Sequence, residues 1–119
     1  MNLRLETVGR TTVVIPEGRL DFGAAEDFQK QLTPLLAAGP SAGATAVIID
    51  CSALDYVSSA GLRAFLVSAR TAQKAGIAFA LCALKPAVRE VFDLSGFSRV
   101  MAVHPDRATA LGQAPSRPT

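Results

Sequence analysis

The stretch "VIIDCSALDYVSSAGLRAFL", residues 47–66, contains the change of pattern that decides the fold. Together with the preceding Ala46, the stretch begins with an apolar run that ends at Asp50. Such a run is typical of a central β-strand covered on both faces. From Ser59 onward the apolar residues recur at helical spacing, and Gly76 is expected to end that helix. The helical positions are Leu62, Phe65, Leu66 and Ala69. Residues 46–76 therefore predict a strand, a loop and a helix, with two adjacent serines at the start of the helix.

Two strands and a helix precede this stretch. The patterns of residues 3–8 and 12–20 predict an antiparallel hairpin around Gly9-Arg10. The next helical pattern contains Pro34, and an interior proline costs a helix about 3 kcal/mol. The helix therefore either kinks at Pro34 or stops at Thr33. It is followed by "GPSAGAT", whose Gly, Pro and Ser content predicts a loop.

Strands and helices continue to alternate toward the C-terminus. We expect a strand at 77–84, a helix from Pro86 to Ser95-Gly96, a strand at 99–103 and a helix at 106–112. Strands separated by helices predict right-handed parallel crossovers. The sequence thus predicts a single α/β domain over 1–112, with a mixed sheet of about five strands and about four helices packed mainly on one face. A disordered tail is expected at 113–119.

Composition narrows the function classes. The 119 residues are 50% hydrophobic and 18% charged, as expected for one domain that folds without disulfides or metals. With 12 basic and 10 acidic residues the net charge is +2, which is too balanced to indicate nucleic-acid binding. The first residues lack the pattern of a signal peptide, and no uncharged run approaches the ~18 to 20 residues of a membrane span. We therefore expect a cytoplasmic protein that contacts neither membrane nor nucleic acid.

Metal and cofactor sites are not indicated either. Cys51 and Cys82 both lie within apolar runs, so we expect buried free thiols. The single histidine, His104, cannot complete a zinc site with two separated cysteines. The chain also lacks a Gly-rich loop that would cradle phosphates. We expect no metal and no cofactor.

The adjacent serines allow three interpretations. A helix N-terminus presents free N–H groups and about half a positive charge, so it tolerates an added anion. Ser58 suits the N-cap position, which would leave the hydroxyl of Ser59 facing solvent beside the small Ala60 and Gly61. This arrangement suits phosphorylation, and simple capping is the alternative. A nucleophilic serine would need a nearby base, and the only histidine lies far along the chain.

Asp21 and Asp50 each close an apolar run. Their carboxylates are therefore expected to emerge at strand ends, on the same rim as the serines if the two strands are neighbours. The alternative is that each aspartate caps a turn or a helix, which suits Asp21 because a helical pattern follows it.

Three segments resemble the STAS domains of bacterial anti-sigma factor antagonists. They are "EGRLDFGAAEDF" (17–28), "VIIDCSALDYVSSAGLRAFL" (47–66) and "LCALKPAVREVFDLSGFSRVM" (81–101). They occur in the family's order and spacing, and the resemblance extends from about Leu3 to Leu111, nearly the whole chain. It implies a single STAS domain.

The resemblance also implies a partner-switching mechanism and no enzymatic activity. The unmodified protein would bind an anti-sigma factor that is also a GHKL-type serine kinase, which frees a sigma factor. The kinase would phosphorylate the antagonist, and a PP2C-type phosphatase would reverse this. The family motif is usually Asp-Ser-Ser-Gly with the first serine modified. Aligned on Gly61, that serine is Ser59, while Ser58 replaces the Asp, Ala60 replaces the second Ser, and Ser58 is the alternative target.

The binding surface and two alternative functions follow from the same resemblance. The implied partner-binding residues are Asp21, Asp50, Ser58, Ser59, Ala60, Gly61 and Arg63. A STAS domain can also be the non-phosphorylated subunit of a lipid-transport ABC system, or a partner switch with a non-sigma output. The edge strand of the predicted hairpin leaves pairing with a second copy open.

Overall fold

The computed structural model describes residues 1–113. Its strands are β1 Leu3–Val8, β2 Thr11–Pro16, β3 Gly18–Leu20, β4 Ala46–Asp50, β5 Leu54–Val57, β6 Ala78–Cys82 and β7 Ala102–His104. Its helices are α1 Phe22–Ala37, α2 Ser59–Ala75, α3 Pro86–Ser95 and α4 Arg107–Gln113, with 3₁₀ turns at Pro40–Ala42 and Phe97–Arg99. No helix within these residues is long and apolar enough to cross a membrane.

Five strands form the main sheet, in the order β1-β2-β4-β6-β7. Strand β1 is antiparallel to β2, and each later neighbour is parallel. All five residues of β4, the central strand, are buried, which explains why this strand is a continuous apolar run. The predicted mixed sheet, with an N-terminal hairpin followed by parallel crossovers, is confirmed.

Three helices cover one face of this sheet. Phe28 of α1, Phe65 of α2 and Phe92 of α3 form a chain of ring contacts, with centroids 5.4 and 5.7 Å apart. They pack on Val47 and Ile49 of β4 in one continuous core. On β4, Ile48 points the other way and packs with Cys82 and with Ala110 of α4. The helices therefore lie mainly on one face, as predicted, and α4 lies on the opposite face.

The prediction of one strand over 12–20 is wrong. The chain leaves the main sheet after Pro16, which has no N–H to donate, and Gly18 adopts a φ of 92°, a left-handed conformation that favours glycine. Residues Gly18–Leu20 then pair in parallel with β5, which the sequence analysis assigned to a loop. This small second sheet determines where α1 and α2 begin.

Other boundaries differ from expectation for local reasons. Helix α1 continues through Pro34 to Ala37, so it does not stop at Thr33. Strand β7 begins at Ala102 rather than at 99, because a 3₁₀ turn follows the left-handed Gly96. Helix α4 includes Gln113, and the rest of the predicted tail, 114–119, lies outside the described residues.

Candidate functional site

Helices α1 and α2 begin side by side. Strands β3 and β5 are parallel and end in register, with Leu20 opposite Val57. The next residue of each strand is an N-cap: Asp21 Oδ1 accepts from the N–H of Ala24 at 2.9 Å, and Ser58 Oγ accepts from the N–H of Gly61 at 3.1 Å. Two helix N-termini, each with free backbone donors, therefore meet at one edge of the molecule.

The Ser58 hydroxyl both donates and accepts a hydrogen bond within the fold. Besides accepting from Gly61, it donates to the carbonyl oxygen of Leu20 at 3.1 Å. The backbone N–H of Ser58 donates to the same oxygen at 2.9 Å. The side chain is half-buried, and its predicted capping role is confirmed.

Ser59 is the first residue of α2 and is exposed. In the described part of the chain its hydroxyl makes no hydrogen bond. The first turn of α2 also contains no acidic residue. An anion attached to Ser59 would therefore lie at an uncompensated positive helix end.

Gly61 allows α2 to approach β3 and β5 closely. A Cβ at this position would lie 2.7 Å from the carbonyl oxygen of Leu20 and 2.9 Å from Val57 Cγ1. Gly61 is buried, while Ala60 beside it is half-buried and contributes to the surface. Gly61 thus allows close packing beneath the helix, and Ala60 adds little side-chain bulk to the surface beside Ser59.

Asp50 does not emerge at the rim with the serines, contrary to expectation. It is only 4% exposed and lies on the α4 face of the sheet, whereas α2 lies on the other face. Its carboxylate accepts from the N–H of Ser52 at 3.0 Å and from Arg107 Nε and Nη2 at 3.0 and 2.9 Å. Arg107 also pairs with Glu6 at 2.8 Å, so the network joins α4 to β1 and β4.

These contacts control the ionisation of Asp50. Burial raises the pKa of its carboxyl, but the hydrogen bonds from Ser52 and Arg107 outweigh that effect, and the pKa lies below its usual value. The sequence analysis missed Arg107, because its partner Asp50 lies 57 residues away along the chain.

The surface around Ser59 includes residues that the sequence analysis did not select. Phe22, the first residue of α1, is 84% exposed. It borders a groove between α1 and α2, together with Ala60 and Arg63. A second groove continues along α2 and is lined by Ser59, Arg63, Leu66, Val67, Arg70 and Phe97. The predicted site is thus the end of a longer surface.

His104 is not a partner for either serine. It lies on β7 at the edge of the main sheet, and it lines a groove beside Ala110 of α4. That groove is on the face opposite α2. The serines and the histidine therefore do not form a catalytic pair.

Comparison with known proteins identifies this architecture. The family model for the STAS domain matches residues 2–110. BtrV of Bordetella bronchiseptica, named as an anti-sigma factor antagonist, is 36% identical over 110 residues, which cover 92% of this chain and 91% of BtrV.

Solved structures agree with the sequence match. The anti-sigma factor antagonist SpoIIAA in its unphosphorylated form is 26% identical with a TM-score of 0.76, over 94% of this chain and 95% of that chain. Its phosphorylated form, described as a Bacillus cell fate determinant, superposes with a TM-score of 0.68 at 22% identity, over 94% and 98% of the two chains. An anti-sigma factor antagonist from Mycobacterium paratuberculosis shares the fold with a TM-score of 0.84 at 23% identity, over 95% and 92%. The chain described here therefore belongs to the STAS domain family, and its relative BtrV is named as an anti-sigma factor antagonist.

Proposed function

We propose that this chain is the antagonist of a partner-switching pathway in the cytoplasm. Unphosphorylated, it binds an anti-sigma factor that is also a GHKL-type serine kinase and thereby frees a sigma factor. Phosphorylation of Ser59 ends this binding, and a PP2C-type phosphatase restores it. The observation that supports the proposal best is the contrast between the serines: the Ser59 hydroxyl is exposed and unbonded within the described residues, whereas the Ser58 hydroxyl is used twice.

Phosphorylation is far easier to accommodate at Ser59 than at Ser58. A phosphate on Ser58 would remove the hydrogen bond to the Leu20 carbonyl and place negative charge against that oxygen. A phosphate on Ser59 requires no contact to break, and the helix N-terminus favours it by roughly 0.3–1 kcal/mol. The existence of SpoIIAA in unphosphorylated and phosphorylated forms further supports this chemistry in the family.

The switch acts on the interface rather than on the fold. A phosphate adds about −1.5 to −2 charges at pH 7. If the partner buries this charge without a counter-charge, the cost is several kcal/mol, and each 1.4 kcal/mol is about tenfold in affinity. One modified hydroxyl is therefore enough to dissociate a complex of micromolar affinity.

The modified residue can be mapped directly. The chain is incubated with ATP and the GHKL-type kinases of its organism, and the phosphopeptide is sequenced by mass spectrometry. We expect phosphate on Ser59 in the wild type and in Ser58→Ala, and none in Ser59→Ala. Phosphate on Ser58, or undiminished incorporation into Ser59→Ala, would contradict the proposal.

Binding tests the consequence of the charge. Calorimetry with the cognate anti-sigma factor should give wild-type affinity for Ser59→Ala and at least about tenfold weaker binding for Ser59→Asp. Ser41→Asp is the matched control, because Ser41 is exposed in the 3₁₀ turn that precedes β4, at the other end of the parallel strands. Equal affinities for the two Ser59 variants would count against the switch.

A further inference from the structure

The exposed face of α2 is cationic along its length. Its sequence, "SAGLRAFLVSARTAQKA", contains no acidic residue, and Arg63, Arg70 and Lys74 are all exposed. At about 100° per residue these three positions fall within roughly 40° of one another around the helix. With a rise of 1.5 Å per residue, the three positions span about 16 Å along the helix, and Ser59 lies about 6 Å before Arg63. We call these three residues the α2 stripe.

Of these three charges, the described fold uses only that of Lys74, at the C-terminus of α2. No ion pair joins Arg63, Arg70 or Lys74 to another described residue. Lys74, in the last turn, is favoured by the helix dipole, but Arg63 and Arg70 gain nothing from it.

Basic residues elsewhere behave differently. Of those outside α2 in the described range, only Arg99 lacks a partner. Examples of paired residues are Lys30 with Glu26 at 3.2 Å, Arg89 with Asp93 at 3.2 Å, Arg107 with Glu6 at 2.8 Å, and Arg19, whose guanidinium lies 4.2 Å from the Tyr56 ring centre. The concentration of unpaired cations on α2 therefore sets that helix apart.

Two of the three stripe residues border a groove with an apolar floor. Arg63 and Arg70 line it together with the half-buried Leu66 and Val67, and Ser59 lies at its beginning. A protein surface with carboxylates around an apolar side chain is complementary to this arrangement. Three charges fall short of the cluster of about four to eight that anionic lipid headgroups attract, which favours a protein partner over a membrane.

We propose that the α2 stripe docks an acidic surface of the anti-sigma factor, so that the interface follows α2 from Ser59 to Lys74. The inference rests on the proposed function, since Ser59 lies at one end of the same groove. It also supplies a reason for the switch. A phosphate of about −1.5 to −2 charges on Ser59 offsets much of the stripe and repels the same acidic surface.

Charge reversal separates the stripe from the phosphorylation site. Arg70→Glu and Lys74→Glu are compared with wild type for binding to the cognate GHKL-type anti-sigma factor. Arg10→Glu is the matched control, because Arg10 lies at the hairpin turn and its guanidinium donates to the backbone carbonyls of Gly43 and Pro40 rather than to a carboxylate. Unfolding curves confirm that each variant is folded, and mass spectrometry records phosphorylation of Ser59 independently.

We expect each stripe variant to bind about tenfold more weakly, mainly through slower association, and Arg10→Glu to stay within about twofold of wild type. The difference should shrink in about 0.5 M salt, where the Debye length falls below ~5 Å. Stripe variants that bind like wild type at every salt concentration would overturn this inference and leave the proposed function intact. A wild-type chain that does not bind the anti-sigma factor overturns both. Arg70-dependent binding to phosphatidylglycerol vesicles, with unchanged binding to the anti-sigma factor, overturns the inference in favour of a membrane.

Discussion

Ser58 donates two hydrogen bonds to the carbonyl oxygen of Leu20, from its backbone N–H at 2.9 Å and from its hydroxyl at 3.1 Å. Because the hydroxyl also accepts from Gly61 at 3.1 Å, Ser58 fixes the first turn of α2 to the end of β3. Its neighbour Ser59 takes no part in this junction. One serine therefore holds the helix in place, and the hydroxyl of the other stays exposed.

Replacing these serines should separate the two roles. Ser58→Ala removes an N-cap and is expected to lower the free energy of unfolding by about 1 kcal/mol. Ser59→Ala removes an exposed hydroxyl and should change it by less than about 0.5 kcal/mol. Urea unfolding followed by circular dichroism measures both. A cost for Ser59→Ala equal to that for Ser58→Ala would show that both serines are structural.

The close approach at Gly61 gives a second stability test. In Gly61→Ala the new Cβ would meet the Leu20 carbonyl oxygen at 2.7 Å, so the first turn of α2 must shift, at a cost of about 1–3 kcal/mol. Gly23→Ala, in the first turn of α1, is the control, because its new Cβ meets nothing nearer than Asp21 Oδ1 at 3.8 Å. That variant should be neutral or up to about 1 kcal/mol more stable. Thermal unfolding of Gly61→Ala and Gly23→Ala measures the difference in stability between them. Equal stabilities would contradict the packing role of Gly61.

The sequence was informative where structure is determined locally. The N-cap Ser58, the left-handed Gly76 and the apolar strand β4 all follow from a few neighbouring residues, and all three are confirmed. Strand β5 was missed because only its two end residues are buried, so four residues show no clear strand pattern.

Long-range contacts were beyond reach for a different reason. The pairing of Asp50 with Arg107 depends on which face of the sheet each element occupies, and no local pattern contains that information. The sequence contains the three basic residues of the α2 stripe, but only the folded structure shows that they have no ion-pair partner within residues 1–113.

The Asp50–Arg107 pair should make stability depend on pH. Since the pKa of Asp50 is lower in the folded chain than the usual value of about 3.9, its carboxylate contributes stability above that pH. The contribution is lost as the pH falls through the folded-state pKa. Asp50→Asn keeps the acceptor for Ser52 but loses the charge opposite Arg107, which should cost about 2 kcal/mol at pH 7.

Urea unfolding at several pH values measures how the free energy of unfolding of wild type and Asp50→Asn depends on pH. The gap between wild type and Asp50→Asn should narrow as the pH falls through the lowered folded-state pKa of Asp50. Glu6→Gln is the control: its pair with Arg107 is more exposed and should contribute less than about 1 kcal/mol. A gap that stays constant with pH would mean that the charge of Asp50 is irrelevant.

Pro34 offers a stabilising substitution. It lies exposed inside α1, where its missing N–H leaves the carbonyl of Lys30 without its helical donor. Pro34→Ala should restore that hydrogen bond and raise the free energy of unfolding by about 1–3 kcal/mol. Pro86→Ala is the control, because a proline in the first turn of α3 removes no helical hydrogen bond. A fall in melting temperature for Pro34→Ala would show that the proline is needed where it stands.

The two cysteines report on separate parts of the structure. Burial raises the pKa of Cys82 to about 12 and that of Cys51 well above its ordinary value, so neither thiol should react in the native state near pH 8. Cys82 lies under α4 beside Ala110, whereas Cys51 belongs to the core beneath α1, α2 and α3. Arg107→Ala frees α4 from Asp50 and Glu6, so α4 should open locally more often. Iodoacetamide labelling followed by peptide mass spectrometry should then show faster modification of Cys82 with little change at Cys51, and equal acceleration at both would mean that α4 does not open independently.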